Sequence, residues 1–327
     1  MAGAGRAGID RPTGIVISTG RSHRNQERSD GGVLVLGSVN MDLIFQVSAL
    51  PAGGETVLGD DVEVRPGGKG ANQAVAAALA GAPVRIAGRV GEDAYGLASR
   101  DALVRAGVDT TLLRTTTQRS TGLAVVLVAR DGENAIAVSP GANFALVPKD
   151  VGEIREEVGR ADVLLMQMEL PLDVLIRAVE IAAEADTAVV LNLAPPVVIP
   201  AAVLERLELL VVNRREAEYL LHEDLPDLPA LMRAVESLRA LGPAAVVVTA
   251  GAQGAVLASA EGAIHLPALP VKVVDTSGAG DAFVGVLAAE ISRGRSLREA
   301  VARATDAGAV AVSSRGAQLT NLWADSQ

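Results

Sequence analysis

The 327-residue chain contains no cysteine. Disulfides, thiolate nucleophiles and cysteine-ligated zinc are thereby excluded, and the lack agrees with a cytoplasmic location. Histidine is almost as scarce, with His23, His222 and His265 as the whole supply. No two of them stand at His-x-x-x-His spacing, which argues against a zinc hydrolase. Aromatic residues make up 2 % of the chain. Stacking platforms for single-stranded nucleic acid are therefore few, and the core has to be built from Ala, Val and Leu. The net charge of −10 repels a phosphate backbone, so nucleic acid is not an expected partner. A phosphorylated small molecule is not excluded, because backbone N–H groups act locally. No apolar run reaches the roughly 18 residues of a membrane helix. No Gly-x-x-x-x-Gly-Lys-Ser/Thr pattern occurs, so any nucleotide is held by other means.

Residues 1–32 are rich in Gly, Arg and Ser and have no apolar stretch of the kind a secretory signal needs. Asp10, Glu27 and Asp30 argue against a transit peptide. This segment reads as a disordered N-terminal extension, followed by one domain over residues 33–323.

From Val33 onward, short continuous apolar runs recur at Val33–Leu36, Val163–Met166, Ala188–Leu193, Leu209–Val212 and Ala245–Thr249. Such runs read as strands buried on both faces. Helical patterns separate them at Asn72–Ala80, Pro171–Ala185 and Leu228–Leu241. The alternation predicts an α/β fold, a central mostly parallel sheet flanked by helices. Two segments, about 42–66 and 121–139, instead alternate apolar and polar residues. They predict a small sheet of half-buried antiparallel strands, with Gly122–Val138 as a hairpin turning at Asp131-Gly132-Glu133. Read from the residues, that sheet is either a lid or dimer contact, or a plain surface flap.

Two glycine-rich runs carry the chemistry. Asp275-Thr276-Ser277-Gly278-Ala279-Gly280-Asp281 lies between an expected β-branched strand, Val271–Val274, and an expected helix, Ala282–Ile291. Glycines at a strand-to-helix turn let backbone N–H groups face a ligand, and the helix N-terminus adds its dipole. Together these make an anion hole suited to a phosphoryl group in transfer. Asp281 closes the loop either as an ordinary helix cap or as a catalytic base beside that hole. Asp275 supplies a second carboxylate at the other end. The run Gly67-Gly68-Lys69-Gly70-Ala71-Asn72-Gln73 opens an Ala-rich helix, and Asn40 and Asp42 follow the first strand. Amide and carboxylate groups at strand ends suit sugar hydroxyls, with a tight turn and ordinary helix start as the plain alternative.

In this order, Gly37-Ser-Val-Asn40-Met-Asp42, Gly67–Ala74, Met166-Gln-Met-Glu169, Asn213-Arg-Arg-Glu216, Thr249-Ala-Gly251, Asp275–Asp281 and Gly316-Ala-Gln318 resemble the ribokinase family, which also contains fructokinase and adenosine kinase. The resemblance implies a ribokinase-like sheet with a β lid and a homodimer clasped through the lids. It implies ATP-dependent phosphorylation of ribose at its 5-hydroxyl, with Asp281 as base. Ribose would be held by Asn40, Asp42, Gly68, Lys69, Asn72 and Glu169. Gly278, Ala279 and Gly280 would form the anion hole. Asn213 and Glu216 would organise phosphates and Mg²⁺, and Thr249, Gly251, Gly254 and Thr305 would line the ATP site. Asp275, Ser277, Ala311, Ser314, Gly316 and Thr320 match positions that bind a monovalent cation, usually K⁺. Kinases for deoxyribose, fructose or a nucleoside remain alternatives, as does a non-catalytic sugar-binding protein.

Overall fold

A computed structural model of the chain describes residues 31–313. In chain order, the strands begin with β1 (Val33–Leu36), β2 (Asn40–Val47), β3 (Glu63–Gly67), β4 (Val84–Gly91) and β5 (Leu113–Thr116). They continue with β6 (Gly122–Ala129), β7 (Asn134–Ser139), β8 (Val163–Gln167) and β9 (Ala188–Asn192). The last are β10 (Leu209–Asn213), β11 (Ala245–Thr249), β12 (Ala255–Ser259) and β13 (Gly262–Leu266). The helices begin with α1 (Lys69–Leu79), α2 (Ala94–Arg105), α3 (Pro148–Glu153), α4 (Arg155–Arg160) and α5 (Leu172–Ala185). After them come α6 (Ala201–Leu204), α7 (Arg214–Leu221), α8 (Leu228–Arg239), α9 (Ala279–Ser292) and α10 (Leu297–Ala311).

The apolar runs become the central strands because helices cover both faces of the sheet. Successive side chains of β1 show this. Val33 and Val35 join a core shared with α1, α9 and α10, whereas Leu34 and Leu36 join a core shared with α5 and α8. The nine-stranded sheet runs β13-β12-β11-β10-β9-β8-β1-β4-β5. Every pair from β5 across to β11 is parallel, and β12 and β13 extend the edge antiparallel. The chain leaves β1 on one side through β4 and β5 and returns to β8 on the other. The crevice beyond the C-terminal ends of β1 and β8 is thus a topological switch point, where open α/β sheets bind ligands.

The second sheet has four strands in the order β3-β2-β6-β7. Its two outer pairings are antiparallel as expected, but β2 and β6 in the middle run parallel, from Asn40 opposite Gly122 to Val47 opposite Ala129. Alternation along a strand sets which face is buried but not the direction of its neighbour, so the all-antiparallel expectation fails there. Pro66 falls in the edge strand β3, where a missing N–H is tolerated. The β7 side chains are exposed throughout. The expected strand at Val271–Val274 is absent. Those valines include Val273 and Val274, 57 % and 50 % exposed, and β-branched residues without a sheet partner do not make a strand. No helix among the described residues is long and apolar enough to cross a membrane.

Candidate active site

The loops beyond β1 and β8 are stitched together at the switch point. Ser38 Oγ donates to Glu169 Oε2 at 2.5 Å, and the Lys69 amide donates to the same oxygen at 3.2 Å. Asn143, fully buried, accepts from the Val39 amide at 2.9 Å and donates to Asn40 Oδ1 at 2.7 Å. Asn40, Glu169 and the start of α1 are thereby locked into one cluster. Gly68 caps α1 at its N-terminus, immediately before Lys69.

Asp42 reaches this cluster from β2. Burial first, then the charges of Glu169 and Asp281, push its carboxyl up to about 6. Lys69 lies among Asp281, Glu169 and Glu216. Asp281 contributes most to holding its ammonium above the ordinary lysine range, against the opposing effect of burial. Asn72 Nδ2 donates to Asp281 Oδ2 at 3.1 Å, while its buried Oδ1 has no partner among the described residues. A buried amide oxygen without a partner costs free energy unless a ligand donor meets it.

The helix after the second glycine run starts at Ala279, one turn earlier than expected. Its N-cap is Gly278, in the left-handed region at φ 74°, a conformation glycine adopts at little cost. Asp281 is therefore not the cap but the third residue of α9, 9 % exposed. Both of its oxygens accept side-chain amides, Oδ2 from Asn72 and Oδ1 from Gln73 at 2.9 Å. First-turn N–H groups point out of the end of a helix, so Gly278, Ala279 and Gly280 present an anion-binding terminus beside this carboxylate.

On the other side of Asp281 lies a cavity lined by Lys69, Asn192, Asn213, Glu216, Thr249, Gly278 and Gly280. Asn213 and Glu216 form a reciprocal capping box on α7. The Asn213 side chain accepts the Glu216 amide at 2.9 Å, and Glu216 accepts the Asn213 amide at 2.7 Å. Glu216 is also buried, which pushes its carboxyl up. The plain structural role and a ligand role coexist in this pair. Gly251 and Gly254 shape the turn after β11, where the Ala250 amide donates to Gly254 O at 2.8 Å. Thr305 is not brought into the cavity. It is buried within α10, and its hydroxyl donates to Val301 O at 2.8 Å.

Of the expected cation set, Asp275 Oδ1 accepts the Ser277 amide at 2.9 Å. The Val274 and Asp275 amides both donate to Val312 O, which ties this loop to the residue following Ala311. Ser314, Gly316 and Thr320 lie outside the described residues, as do residues 1–30 of the expected extension. His222 ends α7, and His265 Nε2 lies 2.6 Å from Gln253 O; neither joins the site. Gln73, Asn192, Ser38, Asn143 and Gln167 belong to the site's framework although no role was expected of them. Gln73 stood in the glycine-run motif itself, next to Asn72.

The sequence matches the family described as pfkB family carbohydrate kinase over residues 31–324. It is 34 % identical to the ribokinase of Haemophilus influenzae over 284 residues, 87 % of this chain and 93 % of that protein. It is 31 % identical to the deoxyribokinase of Salmonella typhi, over 88 % of this chain and 94 % of that one. The structure of Arabidopsis thaliana ribokinase complexed with ribose and ATP superposes with a TM-score of 0.81 at 31 % identity, covering 88 % of this chain and 94 % of that one. The motifs, the switch-point crevice and the buried Asp281 agree with these likenesses, and the chain belongs to the pfkB family of carbohydrate kinases.

Proposed function

We propose that this carbohydrate kinase transfers the γ-phosphoryl group of ATP to the 5-hydroxyl of D-ribose, with Asp281 as general base. The observation that carries the reading is the position of Asp281. Its carboxylate is held by two amides between the Asn40–Asp42–Glu169 cluster and the cavity at Asn213 and Glu216. In this reading the sugar lies in the cluster, with Asn40, Asp42, Gly68, Lys69, Asn72 and Glu169 around its hydroxyls. The partnerless Asn72 Oδ1 accepts one of them. Asp281 takes the proton of the 5-hydroxyl as its oxygen bonds to the γ-phosphorus. The bond to the β-phosphate bridging oxygen breaks, and ADP leaves. The N–H groups at Gly278, Ala279 and Gly280 meet the charge on the transferring group. Thr249, Gly251 and Gly254 line the nucleotide side, and the Thr305 hydroxyl stays bonded within α10.

Mg²⁺ is conventionally held by one or two carboxylates together with substrate phosphates and waters, and the buried Glu216 with its Asn213 partner suits that donor set. When bound it supplies charge neutralisation between the phosphates. A monovalent cation such as K⁺ would be held by oxygens at Asp275, Ser277 and Ala311 together with Ser314, Gly316 and Thr320, fixing the loop before Gly278. The small sheet would act as lid and as the homodimer contact, in a cytoplasmic enzyme.

The deoxyribokinase relative makes deoxyribose the competing substrate. ADP release across a panel of pentoses, hexoses and nucleosides, with and without K⁺, tests the reading. Ribose is expected to turn over best and to need K⁺. Turnover confined to deoxyribose, fructose or adenosine would overturn the substrate assignment, and K⁺-independent turnover would remove the cation.

A further inference from the structure

Gln73 is wholly buried, and its amide makes three hydrogen bonds, all to other side chains. Its Nε2 donates to Asp281 Oδ1 at 2.9 Å and to Asn192 Oδ1 at 3.0 Å. Its Oε1 accepts from Gln167 Nε2 at 2.6 Å. An amide has a donor end and an acceptor end of nearly the same shape, so something must decide which end faces Asp281. The deciding group is a main-chain carbonyl. Asn192 Nδ2 donates to Val211 O at 3.2 Å, and a carbonyl can only accept. Asn192 must then turn its Oδ1 to Gln73, which in turn must offer its Nε2. The same Nε2 is left pointing its second proton at Asp281. The chain of amides thus runs from β10 through β9 to α1, and its polarity ends on the carboxylate.

We propose that Gln73 is a positioning residue for the reaction: the amide chain anchored on the Val211 carbonyl fixes its donor end on Asp281 and so fixes the orientation of that carboxylate. The inference rests on the reading of Asp281 as base and deepens it. A base must aim an oxygen at the hydroxyl it deprotonates, and a donor held on Oδ1 restrains rotation of the carboxylate away from that aim. A second consequence is mechanical. Asn192 also lines the nucleotide-side cavity, so one rigid chain registers the base against that wall.

The test compares wild type, Gln73→Met and Asp281→Asn in purified full-length protein. Met fills the same volume and donates nothing. Loss of one charge-assisted hydrogen bond predicts a fall in kcat of about 10- to 100-fold. Ribose affinity measured by calorimetry is expected to stay unchanged. KM for ribose should stay as well, so that the loss falls on kcat alone, because no proposed sugar contact is removed. Wild-type kcat in Gln73→Met, beside an inactive Asp281→Asn, overturns the inference and spares the base. Equal losses of sugar affinity, thermal stability and kcat reduce Gln73 to packing and also overturn it. An active Asp281→Asn overturns the reading of the base itself. Should Gln73→Met fail to fold, the side-chain amide resonance of Gln73 in glutamine-labelled protein decides. It is expected to move between wild type and Asp281→Asn, and an unmoved resonance refutes the contact.

Discussion

Replacing Asp42 by Asn is expected to stabilise the protein at neutral and alkaline pH while weakening its proposed contact with the sugar. In the folded protein, burial together with Glu169 and Asp281 pushes the Asp42 carboxyl from 3.8 to about 6. The folded state therefore holds the proton more tightly than the unfolded chain. Its contribution to stability is full below pH 3.8 and is lost as pH rises through about 6. Above that, the ionised carboxylate costs about 3 kcal/mol, from roughly two pKa units at about 1.4 kcal/mol each. Asn has nearly the same shape and no charge, so it escapes the cost. Urea unfolding at about pH 8 should show the variant more stable by about 3 kcal/mol, and at about pH 4.5 by only about 1 kcal/mol. In thermal melts the alkaline difference corresponds to about 6 °C for a domain of this size. Ribose affinity should fall in the same variant. A gap that stays constant with pH, or a variant less stable at about pH 8, would refute the account of a carboxylate held charged against its surroundings.

Three further outcomes follow from the geometry. Asp281→Asn should lower kcat by about 10²- to 10⁴-fold, the usual worth of a general base, with ribose affinity by calorimetry unaltered. Gly285→Ala should destabilise by about 1–3 kcal/mol in urea, because its Cβ would lie 2.4 Å from Gln73 O and 2.6 Å from Ala76 Cβ. It should also lower kcat, since it wedges α9, which carries Asp281, away from α1. Glu290→Gln should destabilise by about 1–2 kcal/mol while leaving kcat unchanged. Glu290 is buried against Arg293, Arg295 and Arg303, remote from the chemistry, and salt titration of the urea midpoint would report the lost ion pairs.

Sheet strands and glycine loops were legible because their signals are local. A continuous apolar run such as Val163–Met166 needs both faces covered, and that alone predicts a parallel interior strand. What failed depended on partners. Val271–Val274 has strand-like residues but no strand partner among the described residues, and its exposed valines stay irregular. The parallel β2–β6 pairing joins segments about 80 residues apart, and alternation cannot encode the direction of a neighbour. Asp281 read as a cap or as a base because both occur at helix starts. The structure removes the cap reading by giving that place to Gly278, and it gives Asp281 amide partners. Gln73 stood in the glycine-run motif but carried no cue to its role. An amide in an alanine-rich helix acquires meaning only from Asn192 and Gln167, which lie 119 and 94 residues away.

The charges of the site also constrain one another. Asp281, Glu169 and Glu216 surround Lys69, and Asp42 stands against Glu169 and Asp281, so the cluster is electronegative before any nucleotide arrives. A neutral sugar tolerates that field, whereas a polyphosphate needs the N-terminus of α9 and added cations to offset it. Lys69 thus has a structural task apart from ligand contact, which is to offset the negative charge gathered around it. Lys69→Met should remove that compensation and push the Glu216 carboxyl, already raised by burial, further up. Stability should then fall by about 1–3 kcal/mol at about pH 8 and by less near pH 5, where protonation relieves the crowding. This is opposite in sign to Asp42→Asn, although both substitutions remove one charge from the same cluster. If urea unfolding across that pH range moves the two variants in the same direction, charge balance is not what organises the site, and steric packing around the sugar loop must take its place.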